Sequence, residues 1–238
     1  MEQLQIKTMM KILDVGAGTG RVTRELLQKN LKVTALERSP QMIAEMQRQK
    51  LTENTDFQLI TGDYQQMTTQ QKYDCLIFSD NLLQELFWES DLQTVFTKAT
   101  QLLKKGGSIW VELLMPLTKT INYQRSKLAN LQTEYMMEVQ LITNEEKATL
   151  RYTNQLEKFV AGYATEKYRV TRELKILSET DIIEALPGNL KLERVLDVAK
   201  EIHFPDTTGN NFLWVDGGYP LPNSHPQISK KVLILKEK

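Results

Sequence analysis

Residues 12–20, ILDVGAGTG, constrain this chain more than any other stretch. A short apolar run ends in glycines at 16, 18 and 20, and residues 21–29 then place Val22, Leu26 and Leu27 on one helical face. That order is a strand, a tight turn and a helix, and a turn without Cβ atoms lets a ligand come close to the backbone. The alternation continues: strands at 32–36 (KVTAL), 56–60, 73–78 and 108–114 (SIWVELL), with helices between them. Ser39-Pro40 supplies an N-cap and a first-turn proline for a helix to about residue 50. Ser90 and Gln93 have capping-box spacing ahead of a stripe of Leu92, Val95, Phe96, Ala99 and Leu102, and Gly106-Gly107 is expected to end that helix. Short apolar strands alternating with amphipathic helices predict an α/β domain with a parallel sheet.

The glycine spacing separates two kinds of ligand. A dinucleotide-binding turn needs G-x-G-x-x-G, with the pyrophosphate on the helix N-terminus. Here the third glycine comes one position early, and Arg21 stands where that pattern needs glycine. Asp14 also precedes the turn, unwelcome beside a pyrophosphate but suited to an ammonium and a sulfonium. Glu37 ends the second strand, where a carboxylate can accept ribose hydroxyls. The D-x-G-x-G-x-G spacing, GAGTGRVT at 16–23, VTALERSPQMI at 33–43 and LLKKGGSIWVEL at 102–113 resemble the class I S-adenosylmethionine (SAM)-dependent methyltransferases, specifically bacterial small-molecule enzymes.

That resemblance implies a Rossmann-like, seven-stranded, mostly parallel sheet and SAM as cofactor, with S-adenosylhomocysteine as its product. It places Gly16, Ala17 and Gly18 at the methionine end and Glu37 on the ribose, with Asp14 and Gly20 also among the cofactor-binding residues. Arg38 and Met42 would flank the adenine, Asp63 would accept from its amino group with Tyr64 alongside, and Ser79 would complete the site after the fourth strand. Relatives often have histidine where FSDNLLQEL (78–86) has Glu85, so an inherited acid–base role there is in question. The Asn/Asp-Pro-Pro-aromatic tetrapeptide of nucleic-acid amino-methyltransferases is absent.

After residue 116 the rhythm changes. Tyr135, Met137, Val139 and Leu141 alternate, as do Ala148, Leu150 and Tyr152, and 163–177 is expected to return as a third strand. Residues 117–177 are therefore expected to be a helical connector plus an antiparallel β meander inserted into a SAM-binding domain of 1–116 and 178–238. Ser178 is expected to cap a helix to Leu186, with closing strands at 190–198 and 228–236. Residues 199–227 exceed the roughly 12–15 residues of an ordinary loop. Ligands of open α/β sheets lie beyond the carboxyl ends of the strands, so both long segments are expected to roof an acceptor pocket. Its expected lining is Tyr123, Arg125 and Tyr163, with His203, Phe204, Asp206, Trp214 and Tyr219. His203 and Glu85 are the candidate general bases.

Methyl transfer to a nitrogen or oxygen of a small metabolite follows as the expected function. The rival from another class is a catalytically silent SAM-binding partner, and an NAD-dependent oxidoreductase is disfavoured by the glycine spacing. Relatives carry a few dozen helical residues before the first strand, whereas thirteen precede Asp14 here. That predicts a lid from another subunit, through a homodimer or a partner protein docked on the insertion. Thirty Lys+Arg balance thirty Asp+Glu, so no chain-wide basic surface invites nucleic acid. The single Cys75 excludes a disulfide framework or a four-cysteine zinc site, and no metal site is expected. No run approaches the ~18 apolar residues of a membrane span and no signal-peptide core begins the chain, so a cytoplasmic protein is expected.

Overall fold

The apolar runs become strands buried on both faces. In the computed structural model, which describes residues 9–88, 90–116, 120–130, 132–197 and 228–237, β1 (Lys11–Val15) buries its last four residues and β4 (Tyr73–Phe78) buries five of six. Unbroken burial along a strand is what helices packed on both sides of a parallel sheet demand. β1 lies between β2 (Lys32–Glu37) and β4, parallel to both, and β3 (Phe57–Thr61) extends the sheet beyond β2. β5 (Leu103–Pro116) pairs in parallel with β4. β10 (Leu190–Asp197) and β11 (Ile228–Glu237) form an antiparallel pair, and the full order is β10-β11-β5-β4-β1-β2-β3. The sheet is thus seven-stranded and mostly parallel, as expected.

The crossover helices are α1 (Arg21–Leu27), α2 (Pro40–Arg48) and α4 (Leu92–Leu102), while α3 (Leu82–Leu86) and α5 (Glu179–Ala185) are shorter. Ser39 caps α2 with Pro40 in its first turn, and Ser178 caps α5 in a reciprocal capping box with Asp181. From β1 the chain winds one way through β2 and β3 and the other way through β4 and β5. The carboxyl ends of β1 and β4 therefore flank the switch point where such sheets bind ligands.

Several local expectations are corrected. Asp91, not Ser90, caps α4: its carboxylate accepts the Thr94 N–H and the Thr94 hydroxyl, both at 2.8 Å. A carboxylate satisfies both donors and complements the positive helix end. That helix ends at Leu102 rather than at the glycine pair, because Leu103 is already extended and pairs with Tyr73. Gly106 (φ +74) then belongs to an irregularity within β5 before pairing resumes at Cys75↔Ser108. α3 was not foreseen.

The chain divides into two compact units, the second built mainly from Leu114–Ile176. It contains a four-stranded antiparallel sheet, β6 (Thr120–Asn130), β7 (Thr133–Asn144), β8 (Thr149–Val160) and β9 (Tyr163–Lys175), in that order. The helical connector expected after residue 116 is replaced by β6, whose backbone pairs with β7 from Thr120↔Ile142 to Asn130↔Thr133. TINYQRSKLAN shows no clean alternation, so its partner strand rather than its own pattern makes it extended. One face of the sheet is buried through Met137, Val139 and Leu141 of β7 and Leu150, Tyr152 and Leu156 of β8. β9 is exposed from Tyr163 to Thr171.

Candidate functional site

β1 ends at Val15, and the next five residues turn sharply. Gly16, Gly18 and Gly20 all have positive φ (+62, +59 and +84). A Cβ on Gly16 would come within 2.7 Å of Leu82 of α3, and one on Gly20 within 2.4 Å of Leu51. Around Gly18 the space is open: a Cβ there would meet nothing within 4 Å. Packing therefore explains two of the glycines, whereas a side chain at the middle one would meet only open space.

The turn is tied to the end of β2. The Ala17 N–H donates to the Leu36 carbonyl at 3.0 Å, and the Gly18 N–H to Glu37 Oε2 at 2.7 Å. Glu37 is 7% exposed, and its Oε1 accepts the N–H groups of Arg38 and Ser39 at 2.9 and 2.8 Å. A carboxylate has about four acceptor positions. Three are used by backbone, which leaves one open acceptor position, on Oε2. At the next strand end, Arg38 Nη1 lies 2.8 Å from Asp63 Oδ2, and Asp63 Oδ1 accepts the Gln65 N–H at 2.8 Å. Arg38 and Asp63 thus form an exposed pair beside Glu37, with Met42 half-buried in the first turn of α2.

Asp14 sits behind this surface. It is fully buried; its Oδ2 accepts the Thr23 hydroxyl at 2.7 Å, and its Oδ1 has no hydrogen-bond partner. Burial pushes its pKa up to about 6, against the opposing pull of the Thr23 hydroxyl and the Arg21 charge. It braces α1 against β1 and is turned away from solvent, unlike the direct cation contact expected from sequence. Because its pKa is raised above 3.8 on folding, the native state holds this proton more tightly than the unfolded chain. Stability from this group therefore falls as pH rises from about 4 to about 6, by on the order of 3 kcal/mol in all. In urea unfolding across pH 4.5–7.5, Asp14→Asn is expected to remove that part of the slope; identical slopes in both proteins would show that Asp14 does not titrate there.

At the carboxyl end of β4, Asp80 and Asn81 are consecutive left-handed residues (φ +55 and +67). Such strain concentrates at functional sites. The Asp80 N–H donates to Glu112 Oε2 of β5 at 3.2 Å, and Asn81 is 8% exposed with its Oδ1 unpartnered. Sequence reasoning missed Asp80, Asn81 and Glu112. The signal available was the Asp-Asn pair one residue beyond an apolar strand, since these two residue types tolerate the left-handed region best after glycine.

Gly16, Ala17, Gly18, Gly20, Glu37, Arg38, Met42, Asp63 and Ser79 all lie at or after the carboxyl ends of β1 to β4 in one unit. Tyr64 does not join that surface. It is 4% exposed, its hydroxyl donates to the Val95 carbonyl at 3.0 Å and its ring meets Phe78 edge-on, so it is a core residue. Glu85 lies half-buried in α3. Tyr163 is 78% exposed at the start of β9, in the other unit. The β6 backbone pairs Tyr123 with Val139 and Arg125 with Met137. His203, Phe204, Asp206, Trp214 and Tyr219 lie outside the described residues. Among the described residues no helix is long and apolar enough to cross a membrane.

This sheet order, with a glycine turn after β1 and a carboxylate ending β2, defines the class I SAM-dependent methyltransferase fold. Residues 12–107 match the family model described as a methyltransferase domain. The malonyl-[acyl-carrier protein] O-methyltransferase of Acetivibrio thermocellus is 36% identical over 110 residues, 45% of this chain and 36% of that protein. The match thus spans little more than a third of that relative's length. Among solved structures, an S-adenosylmethionine-dependent methyltransferase from Clostridium acetobutylicum superposes with a TM-score of 0.66 at 16% identity, covering 95% of this chain and 83% of its own. The sugar N-methyltransferase KedS8 from Streptoalloteichus gives 0.65 at 14% identity, covering 97% and 80%. Both likenesses extend the shared fold over nearly the whole chain.

Proposed function

We propose that this chain is an active SAM-dependent methyltransferase that modifies a nitrogen or oxygen of a small metabolite. The observation that carries the reading is the open cradle at Gly18, joined by a 2.7 Å hydrogen bond to the carboxylate of Glu37. Bound there, SAM supplies a methyl carbon activated by the neighbouring positive sulfur. Gly16, Ala17 and Gly18 present backbone to the methionine end, while Glu37 holds a ribose hydroxyl through its open acceptor position. Arg38, Met42 and Asp63 border the adenine, and Ser79 closes the site after β4. Asp14 and Gly20 act from behind by fixing the turn.

Holding the acceptor and the methyl carbon in line can supply most of the acceleration. A base is needed only for an acceptor that arrives protonated, and Glu85 and His203 are the proposed groups. Tyr123, Arg125, Tyr163, Trp214 and Tyr219 are the proposed acceptor-lining residues. Relatives of both chemistries keep nitrogen and oxygen open: KedS8 is a sugar N-methyltransferase, and the Acetivibrio protein is an O-methyltransferase. The cofactor domain is proposed to comprise 1–116 and 178–238, and the insertion 117–177 to join copies of the chain.

The test is calorimetry with S-adenosylhomocysteine, then chromatography of its release from SAM over a panel of amines, amino sugars and hydroxyl compounds. Micromolar binding with acceptor-dependent release is expected. Binding without release over the whole panel would favour a catalytically silent SAM-binding partner, and no binding would end the reading.

A further inference from the structure

β9 is an end strand of its four-stranded sheet, so one row of its backbone groups has no strand beside it among the described residues. Such an edge is a template for another strand. Three of the seven large apolar side chains exposed among the described residues sit on it: Tyr163, Tyr168 and Val170. The strand departs from regular pairing only near its start, between Lys158 and Phe159 of β8, and from Glu166 to Lys175 it runs in unbroken register. It carries both signs of charge, with the cations Lys167, Arg169 and Arg172 between Glu166 and Glu173, and Lys175 after them.

We propose that this edge pairs with β9 of a second copy of the chain, antiparallel about a two-fold axis through Val170. The pairing joins two four-stranded sheets into one. It rests on the second unit alone and not on the methyltransferase reading.

Two identical antiparallel neighbours are related by an axis normal to the sheet that passes through one residue pair, so each register is named by the residue that faces its own copy. Centring on Lys167, Arg169 or Arg172 sets that cation against itself. Centring on Tyr168 opposes Lys167 to Arg169, and centring on Thr171 opposes Lys167 to Lys175. Like charges directly opposite are destabilising. The register centred on Val170 has none of these clashes. It places Lys167 opposite Glu173, Tyr168 opposite Arg172, Arg169 opposite Thr171 and Thr165 opposite Lys175, each twice. The result is two ion pairs, two cation–aromatic pairs and a central valine pair.

The faces also agree. Val170 and Tyr168 lie opposite Asn154 and Leu156 of β8, so they continue the face that holds the sheet's buried residues. Lys167 and Glu173 project from the other face, where Lys167 already reaches Glu157 of β8 at 2.5 Å and Glu173 accepts the Thr149 hydroxyl at 3.2 Å. Each cross-copy ion pair therefore extends a charge row that the neighbouring strand has begun.

Cysteine substitutions read the register directly. Facing Cα atoms in an antiparallel pair are about 4.5–5.5 Å apart, within disulfide reach, while the two copies of residue 169 would be separated by about 8 Å, beyond it. The native Cys75 is buried with its thiol pushed up to about 12, so it contributes no background. Under mild oxidation of the full chain, Val170→Cys is expected to give a covalent dimer on a denaturing gel and Arg169→Cys only monomer. In analytical ultracentrifugation, the wild type is expected to be dimeric and Val170→Lys to raise the dissociation constant at least tenfold. The exposed position leaves the fold intact, checked by circular dichroism. A monomeric wild type, a dimer indifferent to Val170→Lys, or cross-linking through residue 169 instead of 170 would each overturn the proposal. None of these outcomes bears on cofactor binding, which is measured separately.

Discussion

Glu37→Ala is expected to abolish measurable S-adenosylhomocysteine binding, weakening it at least a hundredfold, and to lower stability at the same time. The carboxylate does two jobs. It accepts N–H groups from Gly18, Arg38 and Ser39, so its loss leaves three partly buried donors without their partner. Leaving one buried donor unpaired costs about 1–3 kcal/mol, and these donors regain some water, so a total of about 2–4 kcal/mol is expected. A hundredfold loss of affinity corresponds to about 2.7 kcal/mol, the scale of a hydrogen bond to a charged group together with a displaced turn. Glu37→Asp separates the two effects. It keeps the charge but loses the reach to Gly18, so it should retain more stability than affinity. Calorimetry and urea unfolding on the same preparations measure both. Unchanged affinity in Glu37→Ala would remove this residue from the cofactor site.

Gly18→Ala and Gly20→Ala are expected to fail in opposite ways. Both glycines have positive φ, so each alanine carries left-handed strain of about 1–2 kcal/mol. At Gly18 that is the whole stability cost, because the new methyl meets nothing within 4 Å. The methyl instead occupies the cradle proposed for the cofactor, and affinity should fall more than tenfold in a folded protein. At Gly20 the methyl would stand 2.4 Å from Leu51 and 3.3 Å from Met46, both buried. Overpacking adds about 1–3 kcal/mol to the strain, and the protein should melt well below the wild type. If Gly18→Ala were to bind the product as tightly as the wild type, the cradle would not be where the cofactor lies.

The half of the molecule that rests on local rules was legible from residues alone. Continuous apolar runs gave β1 and β4 to the residue, and Ser39-Pro40 gave the start of α2. The glycine spacing and Glu37 marked the turn that the structure joins by a hydrogen bond. What was not legible depends on partners distant in sequence. β6 is extended because β7 pairs with it, and Leu103 leaves α4 because Tyr73 does. Tyr64 follows a glycine-aspartate turn like a surface residue, yet Val95, thirty-one positions away, supplies the carbonyl that draws its hydroxyl inward. Asp14 was visible as a carboxylate, but its burial against Thr23 was not, and that burial changes its role from ligand to brace.

The place of β11 in the large sheet has a consequence for how the chain is made. It lies between β5 and β10, so β5 has no neighbour on that flank until residues 228–237 have been made. β1 to β4 can associate as they emerge, whereas β10 has nowhere to dock. A nascent chain stalled before residue 228 should therefore hold one finished half and one waiting half, and the unfinished edge is where a chaperone would find it.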